Sequence, residues 1–316
     1  MRRVPLALTL ALVLALVLAV DSTAFAARAA QRFESLDGAV DALVRAFRSA
    51  DRAALTAILG PQSGPLLSSG DAVADRRAFA RFVGAYDEAH RLEGGGGRVR
   101  LFVGADEFPF PIPLVPDADR WRWDVRAGRD EILGRRIGRN ELAAIQVCLA
   151  YVDAQREYFA ADRTRTGMLE YAQRFVSRAG THDGLYWTMK SGEPASPLGA
   201  MVAQARSEGY RRRAGGPPYH GYRYRILTAQ GPSGPGGAYD YVVRGHMLGG
   251  FALVAFPARY GSSGVMTFIV NHDGVVFQKN LGWDTAPIAS SMTAFDPDRS
   301  WQPAAPDVAW ASGVLR

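Results

Sequence analysis

Apolar positions recur at helical spacing near the start of the chain and at alternate spacing toward its end. Leu36, Val40, Leu43, Val44 and Phe47 fall at intervals of three and four and form one stripe. With Asp51 able to cap a second short helix through Leu59, the pattern predicts a helical hairpin over 33–59, stopped by Gly60-Pro61. A third helix is predicted over 75–90, with Phe79, Phe82, Val83 and Tyr86 on one side. After four glycines the period shifts to two, predicting strands at 98–103, 108–115 (broken by prolines) and 120–125, and a short one at 132–137. Trp121 and Trp123 share one face of their strand, a core position before a pocket wall.

Asn140 reads as the N-cap of a long helix reaching about residue 161, and 168–176 reads as another helical stretch. From residue 182 the texture turns to Gly, Pro and aromatics around one helix (198–209). Alternating runs then predict strands at 222–227, 239–244, 247–256, 265–270 and 275–281, followed by a terminal helix over 287–295. Asp273-Gly274 between two alternating runs is a strong hairpin signal. The expected fold is α+β. A cone-like N-terminal half of helices and a curved sheet (33–140) is joined by a helical bridge (141–180) to a C-terminal antiparallel half (181–302), and 303–316 is a flexible tail. The helices-then-sheet layout of the first half resembles the nuclear-transport-factor-two-like superfamily. The hairpin of the last sheet resembles that of some pseudopilins.

The first 26 residues read as an address. Arg2 and Arg3 precede an apolar run from Val4 to Val20, and Ala24-Phe25-Ala26 is a small-x-small cleavage site; Ala27-Arg28-Ala29 offers a second frame. This predicts a cleaved signal peptide, a periplasmic or secreted protein, and no membrane span in the mature chain. The only cysteine, Cys148, lies between Val147 and Leu149 and reads as a buried core residue.

Of 316 residues, 48% are hydrophobic and 22% charged, which excludes wholesale disorder. The formal net charge is +6, and cleavage after Ala26 removes two positive charges and one negative, leaving +5. Only Lys190 and Lys279 are lysines, and the arginines are scattered, so no nucleic-acid partner is expected. Arg211-Arg212-Arg213 is a short basic run that reads as a solvated loop.

Longer strings then carry a resemblance. Arg136-Ile-Gly-Arg-Asn-Glu141, Leu169-Glu-Tyr-Ala172, Asp183-Gly-Leu-Tyr-Trp187, Gly192-Glu-Pro-Ala-Ser-Pro-Leu198, Pro218-Tyr-His-Gly-Tyr222, Gly236-Gly-Ala-Tyr-Asp-Tyr241, Gly249-Gly-Phe-Ala-Leu-Val254 and Gly264-Val-Met-Thr-Phe-Ile-Val-Asn271 resemble an exported bacterial family catalogued as domain of unknown function 2950. The resemblance covers roughly 33–301 and implies export but no activity. Members of that family often carry Asp-x-Asp-x-Asp-Gly before the Glu-Tyr-Ala string, the start of a calcium loop. Here the run is Asp162-Arg-Thr164-Arg-Thr166-Gly167: two carboxylates are hydroxyls and two arginines intervene, which argues against calcium.

No zinc spacing, nucleophile elbow, phosphate loop or dinucleotide fingerprint appears, so no metal or cofactor is expected. His182, His220, His246 and His272 lie in separate loops or turns. Trp187, Tyr219, His220, Tyr222, Tyr239 and Tyr241 form the candidate binding set, because Tyr and Trp suit half-wet surfaces; the competing reading is that these rings fasten irregular segments to the sheet. The expected function is a non-catalytic envelope protein that binds or scaffolds an envelope protein or polymer. The alternative is a hydrolase of envelope material using His220 with Asp240 or Glu193.

Overall fold

The computed structural model describes residues 29–95, 97–189, 191–211 and 217–304. The signal segment, residues 212–213 of the basic run and the tail beyond 304 lie outside them. The fold is α+β, and its described residues form two hydrophobic cores.

The first core is built by the helices the apolar stripe predicts. Helix α1 (Leu36–Arg48) starts at Ser35, whose hydroxyl accepts Gly38 N–H at 3.0 Å, and buries Val40, Leu43 and Val44. Asp51 caps α2 (Arg52–Leu59) through Ala54 N–H, and Gly60 ends it with φ +86°. A short α3 (Gly64–Leu67) leads to α4 (Ala72–Glu88), capped by Asp71. These helices cover a sheet of β1 (His90–Gly95), β2 (Arg98–Val103), β3 (Phe108–Pro109), β4 (Leu114–Asp117) and β5 (Arg120–Trp123), in the order β1-β2-β4-β5 with β3 on β2. Trp123 is buried against Phe110, so it belongs to the core.

Two sequence expectations fail here for one reason. Residues 132–137 are not a strand, and Asn140 is not an N-cap. Both lie inside one helix, α5 (Val125–Phe159), 35 residues long and about 50 Å at 1.5 Å per residue. The stretch 132–137 does not alternate: Ile132 and Leu133 are adjacent and both pack at the margin of the first core. Further along, Cys148, Tyr151, Val152 and Tyr158 enter the second core, so a single helix seeds both.

The second core lies under a five-stranded antiparallel sheet, β15-β13-β12-β11-β6. Its strands are β6 (Tyr222–Leu227), β11 (Ala252–Pro257), β12 (Met266–Asn271), β13 (Val276–Asn280) and β15 (Gln302–Pro303). Every residue of β11 is buried, as its unbroken apolar run requires of a central strand. The β12–β13 hairpin turns at Asn271-His272-Asp273-Gly274, with Gly274 at φ +84°. The expected strand over 239–244 is instead split into β8 (Tyr239–Asp240) and β9 (Val242–Val243) at the buried Tyr241. A small sheet joins β8 to β7 (Ala229–Gln230) and β14 (Ala294–Phe295), while β9 forms a ribbon with β10 (His246–Met247). Helix α6 (Gly199–Ser207) and helix α7 (Thr285–Ser291) complete the half.

The stretch 168–176 is not helical. Its backbone groups are claimed from outside: Gln155 on α5 donates to Ala172 O and accepts Ala172 N–H, both at 2.8 Å. Tyr171 N–H donates to Met247 O at 2.8 Å, and Leu185 N–H to Arg174 O at 3.1 Å. Backbone groups bonded in this way are not available to a helix ladder.

Candidate binding site

Stitching the 168–176 segment to β10 sets the site's geometry. Arg244 (φ +50°) and Gly245 (φ +86°) make the tight turn of the β9–β10 ribbon, which delivers His246 as the first residue after it. The Tyr171–Met247 bridge then places Glu170 beside His246. His246 Nδ1 lies 2.9 Å from Glu170 Oε2, and Thr164 Oγ1 donates to Glu170 Oε1 at 2.6 Å. Glu170 is buried and His246 half-buried. No described residue bonds to His246 Nε2.

This pair lines an open cavity of about 660 Å³. The loop over 162–167 forms a second wall. Asp162 accepts the N–H of Gly167 at 2.8 Å and of Thr166 at 3.2 Å, and the Gly167 bond leads in holding its carboxyl below the usual range. The loop closes on Asp162 and brings Arg163 and Arg165 to the cavity. Arg163 lies over the Trp187 ring at 5.7 Å, and its Nε is buried with no hydrogen-bond partner among the described residues.

A third wall carries Arg174, Arg178 and His182. Asp183 aims the two arginines: it accepts Arg178 Nε at 2.7 Å and lies 3.6 Å from Arg174 Nε. Burial works against its charge, but hydrogen bonds from Thr181 and Arg178 hold its carboxyl below the usual range. His182 stacks on Trp187 at 4.4 Å and lies 3.8 Å from Glu193. Tyr158 at the end of α5 fixes this wall by donating to His182 O at 2.7 Å. Four arginines thus face Glu170, Asp183 and Glu193 across one cavity.

The residues expected from sequence are dispersed. Glu193 is in this cavity. His220 sits at the contact of the two halves, 3.6 Å from Glu208, and Asp240 is exposed on β8. Tyr222 and Tyr241 are fully buried, with hydroxyls donating to Met266 O and Gln230 Oε1, so neither presents a surface to a ligand. Trp187 is buried behind Arg163 and His182, and its Nε1 donates to Pro194 O. Tyr219 packs on Tyr210 and His220, and Tyr239 edges Tyr241. These rings fasten loops to the sheet and form no common groove. Cys148 is fully buried, which pushes its thiol up to about 12 and leaves it no role as a nucleophile. Among the described residues, no three His, Cys, Asp or Glu side chains converge as metal ligands.

Sequence reasoning missed Glu170, His246 and the arginines. Glu170 and His246 are 76 positions apart, and no local spacing links them. Glu170 has one signal, its place in the Leu169–Ala172 string, and His246 lies outside every string that carries the resemblance.

A family model described as a protein of unknown function (DUF2950) matches residues 30–304. The chain belongs to this family. Six of the strings that carry the resemblance meet in two places: 169–172, 183–187 and 192–198 around the cavity, and 136–141, 218–222 and 264–271 at the junction of the halves. No curated protein and no solved structure matches the chain. No helix among the described residues is long and apolar enough to cross a membrane.

Proposed function

We propose that this is an exported bacterial envelope protein that binds an envelope component in the cavity of its C-terminal half without transforming it. The observation that carries the reading is the cavity itself: large, open, lined by polar side chains and backed by core aromatics that hold its walls. Export is supported by the charged, apolar and small-x-small sequence of residues 1–26. A scaffold role beside pilin-like machinery is supported by the layout of the β12–β13 hairpin.

The test has two arms. Fractionation with N-terminal sequencing should find a mature chain starting at Ala27 or Ala30 outside the cytoplasm; an intact Met1 in the cytoplasm would contradict export. Cosedimentation with insoluble envelope material should be lost on Thr166→Trp, which plugs the cavity from an exposed lining position. Retained binding would contradict the cavity's role.

One observation favours a second reading. Glu170 holds His246 by one ring nitrogen and leaves the other for a proton, the arrangement of a general base. The hydrolase reading therefore moves from His220 and Asp240 to this pair. Release of soluble fragments from envelope material, abolished by His246→Ala and by Glu170→Gln, would replace simple binding by hydrolysis.

A further inference from the structure

The cavity's chemistry narrows what it holds. Arg163 carries the most telling feature: a buried guanidinium N–H with no acceptor among the described residues. Buried donors are ordinarily paired, and a guanidinium is a planar fork whose geometry suits a two-pronged acceptor. Across the cavity, Asp183 engages Arg178 through Nε and lies against Arg174 on the same nitrogen, which leaves the terminal nitrogens of both with no acceptor among the described residues. Two of the three carboxylates already have partners. Asp183 is occupied by Thr181 and Arg178, and Glu170 by Thr164 and His246. Four arginines against three carboxylates give the cavity lining a formal charge of +1.

We propose that the cavity is an oxyanion site, in which Arg163, Arg174 and Arg178 hold a carboxylate or phosphate group carried by an envelope polymer. The assignment rests on the cavity being the binding site. Its contacts are charge-assisted and two-pronged, so affinity falls with salt and with loss of the fork even when charge is kept.

The experiment is titration calorimetry of the mature full chain with three oligomers of matched length. One is polygalacturonate, which carries carboxylates only; one is poly(glycerol phosphate), which carries phosphates only; one is neutral dextran. At least one polyanion should bind, and which one identifies the source of the group. Dextran should not bind. Arg163→Gln and the double change Arg174→Gln/Arg178→Gln should each weaken binding about tenfold or more. Arg163→Lys should recover only part of the loss. A matched control, Arg98→Gln/Arg100→Gln on the exposed face of β2, should bind as the native chain does. Unchanged urea midpoints show that the cavity variants fold.

The assignment is overturned if neither polyanion binds, if dextran binds equally, or if the control weakens binding as much as the cavity variants do. Failure of the underlying reading looks different. If Thr166→Trp blocks cosedimentation with envelope material and Arg163→Gln does not, the cavity binds but not through an oxyanion. If Thr166→Trp blocks nothing, the cavity reading itself falls.

Discussion

The junction between the halves and the cavity are both rich in arginine and carboxylate, yet they use these groups in opposite ways. At the junction Arg136, Asn140, Glu141 and Asp71 all end on the protein itself. Arg136 donates to the carbonyls of Pro65 and Leu66, and Asn140 donates to Ser263 O at 2.9 Å. Glu141 accepts the N–H groups of Val265 and Met266. Asp71 uses one oxygen to cap α4 and the other to receive Tyr210 O–H at 2.7 Å and Gly221 N–H at 3.0 Å. In the cavity, by contrast, Arg174 and Arg178 are held at Nε by Asp183 and their terminal nitrogens have no acceptor among the described residues, while Arg163 rests on Trp187 with its Nε unpaired. Polar groups that satisfy one another rigidify a fold; polar groups held in place but left open prepare it for something else. The long helix α5 links the two regions, with Asn140 and Glu141 at the junction and Tyr158 at the cavity wall.

The strongest attack on this contrast is at Gly221, which has φ +76°. A Cβ there would lie 2.5 Å from Asn140 Nδ2 and 3.1 Å from Ser263 Cβ. Gly221→Ala combines a strained backbone with overpacking and should cost about 3 kcal/mol by urea denaturation. A cost near zero would mean that the junction is loose.

Gln155→Leu probes the boundary between the two behaviours. This buried side chain satisfies Ala172 on both sides and so holds the segment carrying Glu170. Leaving buried backbone groups unpaired should cost about 2 kcal/mol and also weaken ligand binding. It is the one substitution expected to move both readouts. If binding survives unchanged, the cavity does not depend on that clamp.

The smallest effect concerns pH. Burial is the main influence on His220 and pushes its imidazole below 6.5, against the opposing pull of Glu208 and Asp71; Arg77 and Arg139 add to the lowering. Tyr210 and Tyr219 also pack against it. The folded state therefore favours the neutral ring. Its contribution to stability is fully present above 6.5 and is lost as pH falls through the lowered value. Denaturation across this window should show stability declining toward acid, with a shallower slope in His220→Asn. An identical slope would remove His220 from the account.

Much of the fold was legible because it is local. Ser35 was not anticipated as a cap, but the stripe from Leu36 to Phe47, Asp51 and Gly60 marked the hairpin, and Asp273-Gly274 marked a turn that the structure contains. What misled was α5. Asn140 resembles a cap in sequence, and only the arrival of Ser263, 123 residues away, shows it to be a mid-helix clasp. The segment 168–176 has helical spacing that tertiary hydrogen bonds override. The aromatic cluster was visible, and the reading of its rings as fasteners describes Tyr222 and Tyr241 better than a binding set does. The cavity was hidden for a physical reason. Its groups come from the end of α5, a loop, an extended segment and a ribbon turn, brought together by backbone bonds that leave no periodic trace.

The contrast itself is tested most directly by urea denaturation and polyanion titration of two single variants, Arg136→Gln and Arg163→Gln. Each removes one guanidinium. Arg136→Gln should lower stability by about 2 kcal/mol, because two backbone carbonyls lose a charged donor, and leave binding unchanged. Arg163→Gln should leave stability within about 0.5 kcal/mol and weaken binding. The opposite pairing, or equal losses of stability in both, would contradict the account.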